Sequence, residues 1–379
     1  MSPARWAVSA MFLANGFVMG AWAPQIPLLL PRHGINEAVL GLLILGLGLG
    51  AVGAMLFAGR LIARFGAART LRAFALSIVP ALPLVVFAPN LWVLAPAMAL
   101  LGAMIGCMDV AMNANAVEVE RKLGRAIMSA SHGFWSLGGF VGGSIGGLVI
   151  ARLGSEAQAL LTAGTAGVIV LAAMPFLLNV PPEPHPEDAP RQRFLPRDAG
   201  LWLLGAIALF SMVPEGAVLD WGALYLQQEL GADVARSGLA FALFAGAMAV
   251  MRFAGDAVRD RFGAVRTLRV SGLIGAAGLA GAAAAPNDLV AIAAFAVAGL
   301  GVANMVPVIF SAAGNHPGMA SGTAMAAVTM VGYSGILVAP STIGFVAAET
   351  GFRLTFAVLA LLLLVVSAMA GRAAAAERG

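Results

Sequence analysis

Long apolar runs separated by short polar clusters dominate the chain. Charged, proline-rich and turn-forming clusters divide it into runs with few charges, each about the 20 residues that a helix needs to cross a hydrocarbon core of roughly 30 Å. Because polar and apolar residues do not alternate within the runs, we expect helices rather than barrel strands. The pattern predicts twelve membrane-spanning helices over residues 5–30, 38–59, 73–88, 91–118, 126–151, 157–180, 200–226, 238–257, 268–285, 289–314, 321–347 and 353–371.

Composition agrees with this pattern. Of the 379 residues, 60% are hydrophobic and 11% are charged, whereas soluble domains carry about 25% charged residues. This excludes a cytosolic enzyme, a disulfide-built secreted domain and a disordered scaffold. The single cysteine, Cys107, can form neither an internal disulfide nor a multi-cysteine metal site. We therefore expect an all-α polytopic membrane protein without a metal or a cofactor.

The basic residues are distributed unevenly between the two sides of the predicted membrane. If the N-terminus is inside, 18 of the 22 lysines and arginines fall on the inner side. The positive-inside rule then predicts an inner-membrane protein with both termini in the cytoplasm. The basic clusters are short, so a nucleic-acid partner is not expected.

A cleaved signal peptide is the alternative interpretation of residues 1–30. Arg5 precedes an apolar stretch, and Ala21-Trp22-Ala23 resembles a cleavage site. However, the apolar stretch continues to Leu30, and its removal would leave an odd number of spans. We therefore favour a first membrane span here.

The chain contains an internal repeat. Residues 64–72 and 261–269 are identical at eight of nine positions, at an offset of 197. A proline- and acid-rich stretch between the two copies is typical of an extended linker. The repeat predicts an N-terminal six-helix half over 1–180, a cytoplasmic linker over 181–199 and a C-terminal six-helix half over 200–379.

Two parallel six-helix halves resemble the major facilitator superfamily of secondary transporters. The loop after the second span is similar to the signature of that superfamily in Gly59, Arg64-Phe65-Gly66 and Arg69, with Ala63 where the signature has aspartate. The resemblance implies the major facilitator fold and a cytoplasmic gate. Alternatively, these arginines only set the topology. The candidate gate residues are Arg64, Arg69, Arg252, Asp256, Asp260 and Arg261.

Ionisable side chains within spans are costly, so each is a candidate for function. Asp109 lies near the midplane, where a carboxylate is disfavoured when charged, and we expect it to pick up and release a proton; the alternative is an aspartate held by hydrogen bonds. Glu215 is expected to contact substrate or to act at an outer gate. His132 is expected to relay protons to the fourth span, or to satisfy a neighbouring polar side chain.

Amides and aromatic rings accompany these acids in the spans. Amides can bond hydroxyl groups, and flat rings can stack on a sugar. The sequence places no arginine at mid-depth, which favours a neutral hydroxylated ligand over a dianion. The candidate substrate-binding residues are Asn15, Trp22, Gln25, Asp109, Asn113, Trp135, Glu215, Trp221, Asn304 and Tyr333.

A narrower resemblance links the chain to the fucose-permease branch and to its poorly characterised inner-membrane relatives. In that branch an acidic residue precedes an alanine-asparagine stretch in the fourth span, as Asp109 does here, and the tenth span carries a run similar to residues 305–311. The resemblance implies proton-coupled sugar symport. Asn15 stands in the region where the sugar symporter has a second acidic residue.

These observations predict a proton-coupled transporter of a small polar solute, a sugar or a polyol, that works as a monomer in the lipid bilayer by alternating access. Proton-coupled export of a drug or metabolite is the alternative. A membrane-embedded enzyme is disfavoured because the chain lacks a convincing catalytic constellation and has no His-Glu-x-x-His motif. A sensor is disfavoured because no soluble output domain is recognisable.

Overall fold

A computed structural model describes residues 2–124, 127–180, 198–316 and 321–378. Over these residues the chain consists of α-helices, short 3₁₀ segments and connecting turns, without a strand. The predicted all-α fold is therefore confirmed. The helices are α1 (Pro3–Trp22), α2 (Ile26–His33), α3 (Glu37–Phe65), α4 (Ala67–Ser77), α5 (Ala81–Val86), α6 (Leu91–Leu123), α7 (Met128–Leu153), α8 (Ser155–Ala173), α9 (Ala199–Leu230), α10 (Val234–Ser237), α11 (Leu239–Phe262), α12 (Ala264–Ala283), α13 (Asp288–Val302), α14 (Met305–Gly314), α15 (Ser321–Thr350) and α16 (Phe352–Met369).

Eleven helical stretches within the described ranges are long and apolar enough to cross a membrane. The remaining predicted span is α12, which has 20 residues and carries Arg266 and Arg269 near its start. At 1.5 Å per residue α12 is about 30 Å long, enough to cross the hydrocarbon core. It packs against α13 and α16, so the predicted order of twelve spans is retained.

Prolines interrupt two of the predicted spans. The third span, predicted over 73–88, is split into α4 and α5 at Pro80. In the tenth span, Pro307 has no N–H to donate to the carbonyl of Ala303, and the helix breaks there into α13 and α14. This second break leaves Asn304 between two helix ends.

The repeat at an offset of 197 is visible in the backbone. Gly66 follows α3 with φ 85°, and Gly263 follows α11 with φ 78°, values that favour glycine. One turn later, the hydroxyl of Thr70 donates to the Gly66 carbonyl at 2.9 Å, and that of Thr267 donates to the Gly263 carbonyl at 2.7 Å. The repeated nine-residue sequence therefore builds the same turn twice.

An ion pair is repeated with its charges exchanged. Arg32, after the first span, pairs with Glu156 at 2.9 Å. At the equivalent positions of the second half, Glu229 pairs with Arg353 at 3.6 Å. In each half the arginine also donates to a backbone carbonyl at the end of the third span of that half: Arg32 to Val86 at 2.6 Å and Arg353 to Ala283 at 3.0 Å.

Helices α1–α8 form the half before the predicted linker, and α9–α16 form the half after it. Residues 181–197 of the predicted linker lie outside the described part of the chain. We call the end of the bundle at which α1 begins and α16 ends the terminus end, and the opposite end the distal end.

Glycines bring α1 and α7 into direct backbone contact. A Cβ atom placed on Gly138 would lie 2.2 Å from the carbonyl oxygen of Leu13, and one placed on Gly16 would lie 2.0 Å from the carbonyl oxygen of Trp135. Side chains at these positions would force the helices apart. The close approach fixes Trp135 of α7 beside α1.

The two halves meet at the distal end. Gly147 of α7 lies against the backbone of Ala235, and the side chain of Gln228 donates to Glu37 at 2.6 Å. From there towards the middle of the bundle, α7 packs against α11 and α3 packs against α15. The halves are therefore joined along these two helix pairs.

The packing of α1 on α7 generates a prediction. Gly138→Ala should lower the melting temperature of the purified protein, because overpacking against a backbone carbonyl costs about 1–3 kcal/mol. Gly53→Ala is the matched control, since a Cβ atom at Gly53 of α3 would meet nothing within 4 Å. Equal melting temperatures for the two variants would contradict this account of the packing.

Candidate functional site

Seven polar side chains from both halves gather in the middle of the bundle. Asp109 lies near the centre of the 33-residue α6, and Glu215 near the centre of the 32-residue α9. Their hydrogen bonds, ion pair and electrostatic contacts connect five helices. We call this group the central cluster; its members are Asp109 and Asn113 on α6, His132 and Ser136 on α7, Glu215 on α9, Arg252 on α11 and Tyr333 on α15.

The first half contributes a chain of hydrogen bonds to this cluster. The amide nitrogen of Asn113 donates to the Asp109 carboxylate at 3.3 Å and to the Asp109 backbone carbonyl at 2.9 Å. The amide oxygen of Asn113 lies 3.2 Å from Nε2 of His132. Because that oxygen can only accept, His132 carries a proton on Nε2 in this arrangement. The chain runs from His132 through Asn113 to Asp109.

An arginine connects the second half to the first. Nη2 of Arg252 lies 3.5 Å from Oε2 of Glu215 in the same half, and Nη1 donates to the hydroxyl of Ser136 in the other half at 2.6 Å. The side chain of Arg252 is 11% exposed and that of Glu215 is 22% exposed. A charge in such a place is tolerated because it is paired and hydrogen-bonded.

Charge within the cluster is not balanced. The hydroxyl of Tyr333 lies within electrostatic range of both Asp109 and Glu215, and Arg252 is within range of His132. With both acids ionised and His132 neutral, the seven side chains carry one more negative than positive charge. Glu215 has Arg252 as a partner, whereas the side-chain hydrogen bond of Asp109 comes from a neutral amide.

Two further predicted residues lie beside this cluster. The indole N–H of Trp135 donates to the side-chain oxygen of Asn15 at 2.9 Å, and Asn15 in turn reaches the carbonyl of Ile105, one turn from Asp109. These contacts continue the polar surface from α6 to α1.

Asn304 lies at the break between α13 and α14. It is 6% exposed, and its side-chain oxygen packs over Gly255, one turn along α11 from Arg252. Within the described ranges its Nδ2 has no hydrogen-bond partner. A buried amide donor without a partner in these ranges therefore lies against α11, one turn from the backbone of Arg252.

Three predicted substrate residues lie elsewhere. Gln25 bonds to Ser155 and Gln158 of α8 inside the first half. Trp22 and Trp221 are completely buried in helix packing. These positions are occupied by contacts within each half, and the central cluster does not include them.

The structure describes the side chains of four of the six candidate gate residues. Arg64, Arg69 and Arg261 are exposed at the terminus end, where Arg64 covers the ring of Phe65 at 5.1 Å and Arg261 covers the ring that follows it at 5.6 Å. Arg252 belongs instead to the central cluster. The side chains of Asp256 and Asp260 lie outside what the structure describes.

The expectation that no arginine lies at mid-depth is wrong. The eighth span was predicted to end at residue 257, because Arg252 and the charges after it resemble the polar end of a membrane helix. Helix α11 continues to Phe262, so Arg252 is ten residues from its end, about 15 Å inside. The repeated turn at Gly263 marks the true end of the helix and could have corrected this boundary. Nothing in the sequence indicates that Ser136 is the hydrogen-bond partner of Arg252.

The fold agrees with a comparison to known families. The model of the Major Facilitator Superfamily matches residues 8–340 and matches again over 221–377. The chain belongs to the major facilitator superfamily. It is accordingly a multi-pass membrane transporter.

Known proteins of the superfamily are similar over nearly the whole chain. An uncharacterised MFS-type transporter of Yersinia pestis is 37% identical over 362 residues, which cover 95% of this chain and 93% of that one. Among solved structures, a variant of the nucleoside transporter NupG has a TM-score of 0.75 at 11% identity, covering 97% of this chain and 99% of that one. A D-xylose-proton symporter has a TM-score of 0.72 at 15% identity, covering 97% and 96%. At such identities the two structures show the fold alone.

The position of Gln25 generates a prediction. Gln25→Leu should destabilise the protein by about 1–3 kcal/mol, because it leaves buried partners on α8 without their hydrogen bonds. Gln228→Leu is the control: its hydrogen bond to Glu37 is exposed, and the expected loss is below about 1 kcal/mol. Thermal unfolding of both variants measures the difference. A smaller loss for Gln25→Leu than for the control would contradict a packing role for Gln25.

Proposed function

We propose that this chain is a proton-coupled transporter of a small hydroxylated solute, of the sugar or polyol class. The observation that carries the proposal is the central cluster, which joins the two halves at mid-depth and contains two acids but only one side chain with a permanent positive charge. A carboxylate without a cation partner in a low-dielectric site is stabilised by taking up a proton. Asp109 is the acid in that position.

Each ionisable residue of the cluster has a role in this proposal. Asp109 carries a proton, and His132 relays protons to the fourth span, while Asn113 holds the two side chains in place through its hydrogen bonds. Glu215 is the second proton site, and its protonation competes with its pairing to Arg252. Loading a proton therefore changes which groups Arg252 can bind.

Amides and rings next to the acids supply the solute contacts. Asn15, Asn113 and Asn304 offer groups that pair with hydroxyls, and Trp135 and Tyr333 offer flat faces for a sugar ring. One of the solved structures similar to this chain is that of a D-xylose-proton symporter, which supports sugar as the first class to test.

Alternating access follows from the two halves, residues 1–180 and 200–379, rocking about the cluster. Both halves belong to one chain, so a monomer is sufficient. Even without Arg252, 17 of the 22 basic residues fall on the side of the termini, which supports an inner-membrane location with cytoplasmic termini. In that orientation the contacts at the distal end close the site towards the outside.

Export of an amphiphilic compound is a second candidate, favoured by a groove on the membrane surface of the second half. The groove has a volume of about 500 Å³ and is lined mainly by apolar side chains of α9, α15 and α16. Helices α9 and α15, which line this groove, also carry Glu215 and Tyr333 of the central cluster. The groove is therefore an apolar surface on which an amphiphile can bind from the bilayer.

The direction of transport separates the two candidates. Proteoliposomes containing the protein should accumulate labelled D-xylose or another member of a sugar and polyol panel under an inward proton gradient. The absence of such uptake, together with increased drug sensitivity of cells that lack the protein, would favour export.

Asp109 provides the sharpest test of proton coupling. Asp109→Asn should reduce uptake driven by a proton gradient by at least about tenfold, because the amide cannot carry the proton. Exchange of labelled for unlabelled solute at equal concentrations should stay within about twofold, since it needs no net proton movement. Asp233→Asn, at an exposed acid of the distal end, is the control. A parallel loss of uptake and exchange in a folded variant would make Asp109 a binding or structural residue instead.

A further inference from the structure

We propose that the transported solute carries a carboxylate and that Arg252 binds it. The inference rests on the proposed function and deepens it: the ligand is a hydroxylated organic acid, for example a sugar acid, rather than a neutral sugar. Arg252 is the starting point because it is a mid-depth cation that meets both halves.

The contacts that Arg252 makes leave some of its N–H donors unused, so a stronger partner can bind it. Its contact with Glu215 is an ion pair of 3.5 Å, whereas charge-assisted hydrogen bonds between a guanidinium and a carboxylate are about 2.7–2.9 Å long. Its hydrogen bond to Ser136 uses Nη1 alone. A guanidinium has five N–H donors in a planar fork that matches a carboxylate. A solute carboxylate can therefore bind through the donors that these contacts do not use, and displace Glu215.

A second, independent observation concerns a buried amide that lies against the same stretch of α11. Nδ2 of the buried Asn304 has no partner within the described ranges, and the side chain of Asn304 packs on α11 one turn from Arg252. A buried amide donor left unpaired costs free energy. A carboxylate or hydroxyl oxygen of a solute held by Arg252 is a suitable acceptor for it.

The balance of charge determines which groups are protonated in the loaded state, in which the solute is bound. The empty cluster carries two acids and one base, so an additional carboxylate needs two protons to bring the total to zero. Arg252 then pairs with the solute, while Asp109 and Glu215 are both protonated. The solute keeps its own negative charge, and each proton resides on a carboxyl oxygen. Among the side chains that the structure describes, His132 and Tyr333 also face this site, and both stay neutral in the loaded state.

Matched pairs of acids and neutral compounds test the proposal on the purified full-length protein. The panel contains D-xylose with D-xylonate, D-glucose with D-glucuronate, D-galactose with D-galacturonate, and myo-inositol with quinate. We expect at least one acid to raise the melting temperature at about pH 6 while its neutral partner does not. Its affinity should fall by at least about tenfold at about pH 8, because binding of the acid is coupled to proton uptake by the cluster and protons are scarcer at the higher pH.

Variants of the ion pair provide the controls. Glu215→Gln mimics the protonated acid and should bind the carboxylate as tightly as the native protein or more tightly. The double variant Arg252→Gln/Glu215→Gln leaves no unpaired charge from this ion pair, so it should fold, and it should lose at least about tenfold of the affinity for the acid. Arg236→Gln, at an arginine of the distal end that pairs with Asp288, should bind like the native protein.

Each result has a definite meaning. Stabilisation by neutral members alone, by no acid of the panel, or by an acid in the double variant as strongly as in the native protein would overturn the proposal. Proton-driven uptake of a neutral sugar alone would leave the proposed function standing and reject the carboxylate. Arg252-dependent binding of an acid without proton-driven uptake would support the anion site and reject proton coupling.

Discussion

The hydrocarbon core offers no water to a charged group, so each charge buried in this bundle depends on a partner supplied by the protein. Arg252 is where this constraint acts most strongly. Its charge is paired with Glu215 of its own half, and its hydrogen bond goes to Ser136 of the other half. The same side chain thus satisfies a requirement within one half and connects the two. The amides around Asp109 meet that requirement only in part, because they supply hydrogen bonds but no opposite charge.

The internal repeat preserves the backbone more strictly than it preserves the chemistry. Equivalent turns, caps and ion pairs recur at an offset of 197, yet the ion pair of Arg32 and Glu156 is reversed in Glu229 and Arg353. A salt bridge needs opposite charges at two positions but does not specify which position carries which sign. The central cluster has no such freedom. Its hydrogen-bonded acid is in the first half and its arginine is in the second, so the two halves contribute different chemistry to one site.

Sequence reasoning recovered the helices, the repeat and the acid on α6, because long apolar runs and a rare intramembrane carboxylate are strong signals. The spacing of Asp109 and Asn113 correctly places them on one helix face. It named Arg252 as a gate residue but did not place it at mid-depth, since a charge near the end of an apolar run is normally a sign that the membrane has been left. Nor does the sequence show that Trp221 and Gln25 are buried away from the central cluster. Which face of an apolar helix points towards the centre depends on its neighbours, and every face of such a helix is hydrophobic.

Helix α7 is packed through glycines on two sides, against α1 in its own half and along the distal part of its contact with the second half. Ser136 lies on this helix, and its hydroxyl is 2.6 Å from the Arg252 guanidinium. A slide of one helical turn along the helix axis, about 5.4 Å, would stretch that bond beyond hydrogen-bond range. The bond between Arg252 and Ser136 therefore forms in only one register of the two halves. Only in that relative position can Arg252 keep both Ser136 and Glu215 as partners. The electrostatics of the central cluster thus depend on how the two halves pack together.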